Sequence, residues 1–161
     1  MEGVAFGHGR SVPAVVASGS RVRSAASGAA AAAVWAALEP LDRRLFRCDY
    51  SDVALLGKAL TQRRGWPVVG LALHLANGAI FGLLFGEVAR RVPFRARPLA
   101  LGVALAEHAA LYPLSYAVDR WHPARGEPGI PPLLTNARAF AQATLRHAVF
   151  GLVLGRLATI R

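Results

Sequence analysis

The sequence predicts an all-α integral membrane bundle of four transmembrane helices, and three observations predict it. The run from Pro67 to Gly86 is apolar except for His74 and Asn77. At 1.5 Å per residue, about 20 such residues cross the hydrocarbon of a bilayer. The same run is apolar all the way round, which lipid demands of a spanning helix and water rarely allows on a surface helix. Over the whole chain, 54% of the residues are hydrophobic and 17% are charged, a balance removed from that of ordinary soluble domains.

At 161 residues the chain has the length of one domain. Its formal charge of +10 comes from arginines placed between apolar segments, Lys58 being the only lysine. Basic residues in that arrangement flank spanning helices; they do not line the amphipathic or aromatic-interleaved patch that nucleic acid needs, so nucleic acid is excluded as a partner. The single cysteine, Cys48, excludes an internal disulfide and any multi-cysteine metal site.

In chain order, residues 1–23 mix Gly, Ser, Val, Arg10, Arg21 and Arg23 without a helical period, and a flexible or interfacial N-terminus is expected. The Ala-rich run from Ser24 to Leu41 is read as the first span, closed by Glu39-Pro40 and by Arg43, Arg44 and Arg47. A cleavable signal within residues 1–38 is the competing reading, since a basic region, a short apolar run and Ala-x-Ala sites also describe one. From Asp49 to Arg64 the pattern gives a short interfacial helix, capped by Ser51 or Asp52, with Val53, Leu56 and Leu60 toward one side.

The second span covers 67–88 and ends at Arg90 and Arg91. Pro98 opens a third, 98–118, with Glu107 and His108 near its middle. The Pro- and Gly-dense stretch from Asp119 to Pro132 reads as a solvated loop. A fourth span occupies 138–160, interrupted by Arg146-His147 and Arg156. Four spans place both termini on one side of a cell membrane. Basic residues are equally divided between the two sides; the short, densely basic second loop favours cytoplasmic termini.

Two patterns organise the spans. Gly70, His74, Gly78, Gly82 and Gly86 recur every four residues and form one stripe, a surface on which a second backbone can approach closely. Sliding the chain by 73 positions lays Pro40-Leu41 on Pro113-Leu114 and His74, Gly78 and Gly82 on His147, Gly151 and Gly155. A duplicated helical hairpin explains that coincidence, and so does chance in a chain rich in Ala and Gly. If duplicated, two parallel repeats are related by an axis along the membrane normal.

Ionisable groups cost roughly 2.5–3.5 kcal/mol each in hydrocarbon and so turn toward one another. The expected inward cluster is Glu39, His74, Asn77, Glu107, His108, Tyr112, Arg146 and His147. Arg146 is expected to pair with Glu107 or Glu39 and to hold the bundle in register. Two active readings compete with that structural one. Glu39, His74, Glu107 and His147 could carry protons or a small solute, as Glu and His relays do. His74, His108 and His147 could bind a metal or haem, because imidazole suits Zn, Cu, Fe and Ni, although no di-iron or zinc-protease spacing is present. In the third loop Asp119, His122 and Glu127 invite the same metal question against plain solvation. No nucleophile elbow, phosphate-binding loop, dinucleotide fingerprint or kinase motif occurs, and the sequence points to a non-enzymatic role. Exposed Gly faces suit a homo-oligomer or a subunit of a larger membrane assembly.

The Ala/Gly-rich first helix ending at Glu39-Pro40, the polar connecting helix, and the H-x-x-x-G-x-x-x-G stripe of His74, Gly78 and Gly82 resemble the YagU-type proteins. These are small, uncharacterised bacterial four-helix inner-membrane proteins. The resemblance covers mainly residues 25–91, and it implies a topology but no activity.

Overall fold

α3 (Trp66–Ala89) is where the predicted stripe becomes packing. The computed structural model describes residues 14–158. Among them every regular element is helical: α1 (Ala14–Phe46), α2 (Asp52–Leu60), α3, α4 (Ala96–Leu111), a 3-10 turn (Tyr112–Leu114), α5 (Ser115–Trp121) and α6 (Ala137–Leu157). α3 is also the one described helix long and apolar enough to cross a membrane. Only 28% of its most apolar window is buried, so its apolar surface faces outward instead of filling a core.

The four long helices stand in the order α3, α1, α6, α4, with α1 packed on both α3 and α6 while consecutive α3 and α4 barely meet. Glycine sets the close spacing within each pair. A Cβ on Gly78 or Gly82 would collide with the α1 backbone at Gly28 or Ser24, and one on Gly70 with Val53 of α2. On the other side, a Cβ on Gly151 would sit 2.8 Å from Leu101 Cα and one on Gly155 2.6 Å from Arg97 Cα. These contacts keep the offset seen in the sequence. Gly78 against Gly28 recurs as Gly151 against Leu101, and Gly82 against Ser24 as Gly155 against Arg97. Small side chains fill the space between, with Ala31, Ala32, Ala100 and Ala104 buried beside Trp35, Phe85, Phe150 and Leu154.

Several boundaries differ from the sequence expectations. The segment 1–23 expected to be irregular is helical from Ala14, and residues 1–13 lie outside the described residues. Glu39-Pro40 does not close the first helix; α1 runs through Pro40 to Phe46, because the face formed by Trp35, Glu39 and Asp42 is held by tertiary partners on α6 and at the start of α2. The third span, expected unbroken over 98–118, gives way at Pro113 to the 3-10 turn, since proline offers no N–H to the preceding turn. The end of the expected fourth span, Ile160, lies outside the described residues. Four crossings are therefore not matched helix by helix. α4 has only 16 residues, α1 is alanine-rich, and α6 carries Arg138, Arg146 and Arg156.

α2 is capped as expected, Ser51 Oγ accepting from the Ala54 N–H at 3.1 Å. Its buried side, however, is Ala54, Gly57 and Lys58, with Leu60 exposed, because Gly57 lies against Gly70 of α3. The stretch expected to be a solvated loop is folded down onto α2. Ala124, Ile130 and Leu133 are buried, Lys58 Nζ donates to Glu127 at 2.9 Å, and Gly129, with φ at +92°, approaches Ala54 where any other residue would be strained and crowded.

Candidate functional site

The inner helices α1 and α6 bury charge. Arg146, in the middle of α6, is 2% exposed and is gripped by three segments of the chain. Its Nε and Nη2 donate to Asp42 Oδ2 and Oδ1, both at 2.6 Å, and its Nη1 donates to Asp52 Oδ2 at 2.7 Å. Nη2 also donates to the Tyr50 carbonyl at 3.0 Å, and Glu39 Oε1 stands 3.5 Å from Nη1. The planar guanidinium suits this role because its donors form a fixed fork that a two-oxygen acceptor matches.

The carboxylates are satisfied from their other sides. Gln142 Nε2 donates to Asp42 at 2.6 Å, while the Tyr50 hydroxyl and the Trp35 indole N–H donate to Asp52 at 2.7 and 3.1 Å. Glu39 accepts from Ser51 Oγ at 2.7 Å and from the Asp52 N–H at 3.0 Å, and so caps α2 from outside. Burial first, then the charge of Asp52, pushes the Tyr50 phenol well above its usual range. Burial opposes ionisation of Asp52, but Arg146 and the Tyr50 hydroxyl outweigh it and hold that carboxyl below its ordinary value.

A row of rings adjoins this network. Trp35 meets His74 edge-on with centroids 5.2 Å apart and His147 at 4.7 Å, and His147 stacks on His108 at 4.5 Å. Trp35 with His74, displaced by the sequence offset, is His108 with His147, so the two hairpins contribute equivalent pairs. His74 Nε2 lies 3.1 Å from the Ala32 carbonyl, and His108 Nε2 3.0 Å from Thr144 Oγ1. His147 Nδ1 lies 2.8 Å from the Ala143 carbonyl, and its Nε2 faces Glu107 Oε2 at 3.3 Å. A carbonyl only accepts, which assigns a proton to Nδ1.

Glu107 and His147 also line two cavities. The larger, about 230 Å³, is lined by His108, Tyr112 and Ser115 among others; the smaller, about 140 Å³, reaches Trp35, Asp52 and His74, and both include Leu55. Ser115 Oγ, buried on the wall of the larger one, has no hydrogen-bond partner in the protein.

Of the expected cluster, the structure brings Glu39 to Arg146 and gathers His74, His108, Glu107 and His147, with Tyr112 beside His108 and donating to the Leu133 carbonyl at 2.6 Å. Two expectations need correction. Glu107 pairs with His147 and not with Arg146, whose partners Asp42 and Asp52 are closer than Glu39. Asn77 is exposed at the rim of the smaller cavity and outside the hydrogen-bonded network. The histidines stack and edge-pack with nitrogens engaged by protein atoms, and no group of three or more potential ligands converges among the described residues. In the stretch expected to be the third loop, Asp119 lies within α5 and accepts from the Leu133 and Leu134 N–H groups, His122 is bound to the Leu55 carbonyl and the Ala124 N–H, and Glu127 pairs with Lys58.

The residues that sequence reasoning missed are Trp35, Asp42, Tyr50, Asp52 and Gln142. One signal was available: Trp35, Glu39 and Asp42 fall at helical spacing on a single face. No family model, curated protein or solved structure matches the chain.

Proposed function

We propose that this chain is a multi-pass integral membrane protein with a structural or accessory role, two helical hairpins clamped together by Arg146. The observation that carries the reading is the inverted distribution of polarity. Glu39, Asp42, Gln142 and Arg146 are buried, while Val68, Ile80, Leu84, Leu114 and Leu152 are more than half exposed. Water-soluble monomers rarely present so much apolar surface, and they seldom bury charge at this density. The inner helices can carry charge because they meet protein, and the most apolar helix is an outer one. The matching contact registers support a duplicated hairpin, and the resemblance to the YagU-type proteins supports the same topology.

Extraction of native membranes with alkaline carbonate tests the reading. The full chain is expected to stay in the pellet and to require detergent for release; release into the aqueous phase would sink it.

A second reading is favoured by one observation, the Glu107–His147 contact on the lining of both cavities. A protein conducting protons or a small solute would use that pair as its gate. Liposomes bearing the purified chain and an internal pH dye decide between the two. Acidification lost in Glu107→Gln and His147→Ala establishes conduction, and equal traces with and without protein leave the structural role.

A further inference from the structure

At the end of the molecule where α1 stops and α6 starts lies a cleft of about 990 Å³, within the size range of ligand sites. Arg43 and Arg44 line it from the last turn of α1, Arg47 from just beyond that helix, and Arg138 from the first turn of α6. The ion pairs of the described residues involve none of these four. The nearby carboxylates are engaged elsewhere: Asp42 is turned inward onto Arg146 and Gln142, and Asp49, on the cleft wall, accepts from the Gly129 N–H at 2.9 Å. Four cations and one carboxylate, Asp49, thus line an open volume, which leaves it with an excess of positive charge.

One of the four sits in an uncommon backbone conformation. Arg47 adopts φ of +50°, a left-handed conformation that a glycine would take at less cost, directly after the last residue of α1. The guanidinium fork matches the oxygens of a phosphate as it does a carboxylate. On the other side of the same turns, Leu41 and Leu45 are 65% and 68% exposed, which suits a site where hydrocarbon gives way to headgroups.

We infer that the cleft between the α1 terminus and the α6 start, walled by Arg43, Arg44, Arg47 and Arg138, binds a phosphate group. An anionic lipid headgroup and free phosphate share this chemistry. The site is independent of any bilayer crossing, because free phosphate would occupy the same cleft.

The test is a titration of the purified full chain in neutral detergent with three probes: inorganic phosphate, a short-chain phosphatidylglycerol, and the phosphatidylcholine of equal chain length. The variant Arg44→Gln/Arg138→Gln removes two cleft cations, and Arg63→Gln/Arg64→Gln, outside the cleft, removes the same charge at exposed positions. At about fivefold per arginine, the cleft variant should bind phosphatidylglycerol roughly 25-fold more weakly, with the control pair within about twofold of the parent. Tighter binding of phosphatidylglycerol than of inorganic phosphate assigns the site to lipid; comparable binding assigns it to free phosphate. Equal losses in the two double variants, or phosphatidylcholine binding as tightly as phosphatidylglycerol, would overturn the inference. Because Arg44 and Arg138 are exposed, unchanged helix content by circular dichroism should accompany the loss.

Discussion

Replacing Arg146 with methionine keeps a long apolar stem and removes the one cation that Asp42, Asp52 and Glu39 share. Four hydrogen bonds are lost with it, three of them to carboxylates and no longer than 2.7 Å. Each is worth about 1.5–3 kcal/mol on its own, but they act as one network and do not add. The larger effect is that buried carboxylates remain without a counter-charge, for which single-partner removal costs about 3–5 kcal/mol. We expect Arg146→Met to lose stability in that range, shifting the folded-to-unfolded ratio by roughly two to four orders of magnitude. Asp42→Asn added to it should restore part of the loss, since Asp52 keeps the Tyr50 hydroxyl and the Trp35 N–H. Reversible denaturant unfolding in detergent, followed by circular dichroism, measures the cycle. A cost below about 1 kcal/mol for Arg146→Met, or purely additive losses in the double variant, would refute the reasoning.

Two further outcomes follow from the packing and the titrations. Gly82→Ala should separate α3 from α1, because the new Cβ meets the Ser24 carbonyl and comes within 2.9 Å of Gly28 Cα, whereas Gly102→Ala has open space and should be neutral or slightly stabilising; thermal unfolding of the two variants compares them directly. Stability should also fall at both extremes of pH. The folded value of Tyr50 lies above the unfolded value near 10, so its contribution is complete below about pH 10 and is lost as pH rises through the folded value. The folded value of Asp52 lies below the unfolded value near 4, so its contribution is complete above about pH 4 and is lost as pH falls through the folded value. In Tyr50→Phe the alkaline loss attributable to this residue should vanish, as pH-dependent denaturation would record.

Much of the packing was legible because it is periodic. The glycine stripe of α3 names its own face, and the offset that aligns His74 with His147 also aligns the contacts these helices make. Ser51 announced the start of α2 because a capping hydroxyl acts within three residues. The charge network was less legible because its members are selected by tertiary position. Asp42 sits among arginines in sequence, and Pro40 two residues earlier reads as a helix end, yet the partner that buries Asp42 lies on α6. The third loop misleads for a similar reason: its Pro and Gly content describes an irregular path, while the burial of Ile130 and the pairing of Glu127 depend on where α2 stands. Arg146 had two credible carboxylate partners by composition, Glu107 and Glu39, and only tertiary position gives Glu107 to His147 and brings Asp42 and Asp52 to Arg146.

The central claim is that the outer apolar surface faces lipid while the charges face inward. Cysteine accessibility in native membranes tests it most directly, with Cys48 replaced by alanine and a charged maleimide as reagent. Ile80→Cys and Leu84→Cys, both on the exposed side of α3, should resist labelling until detergent is added, while Arg64→Cys, just before that helix, reacts from whichever side it faces. Rapid labelling of Ile80→Cys and Leu84→Cys without detergent, at the rate of Arg64→Cys, would mean that water covers this surface and would contradict the account.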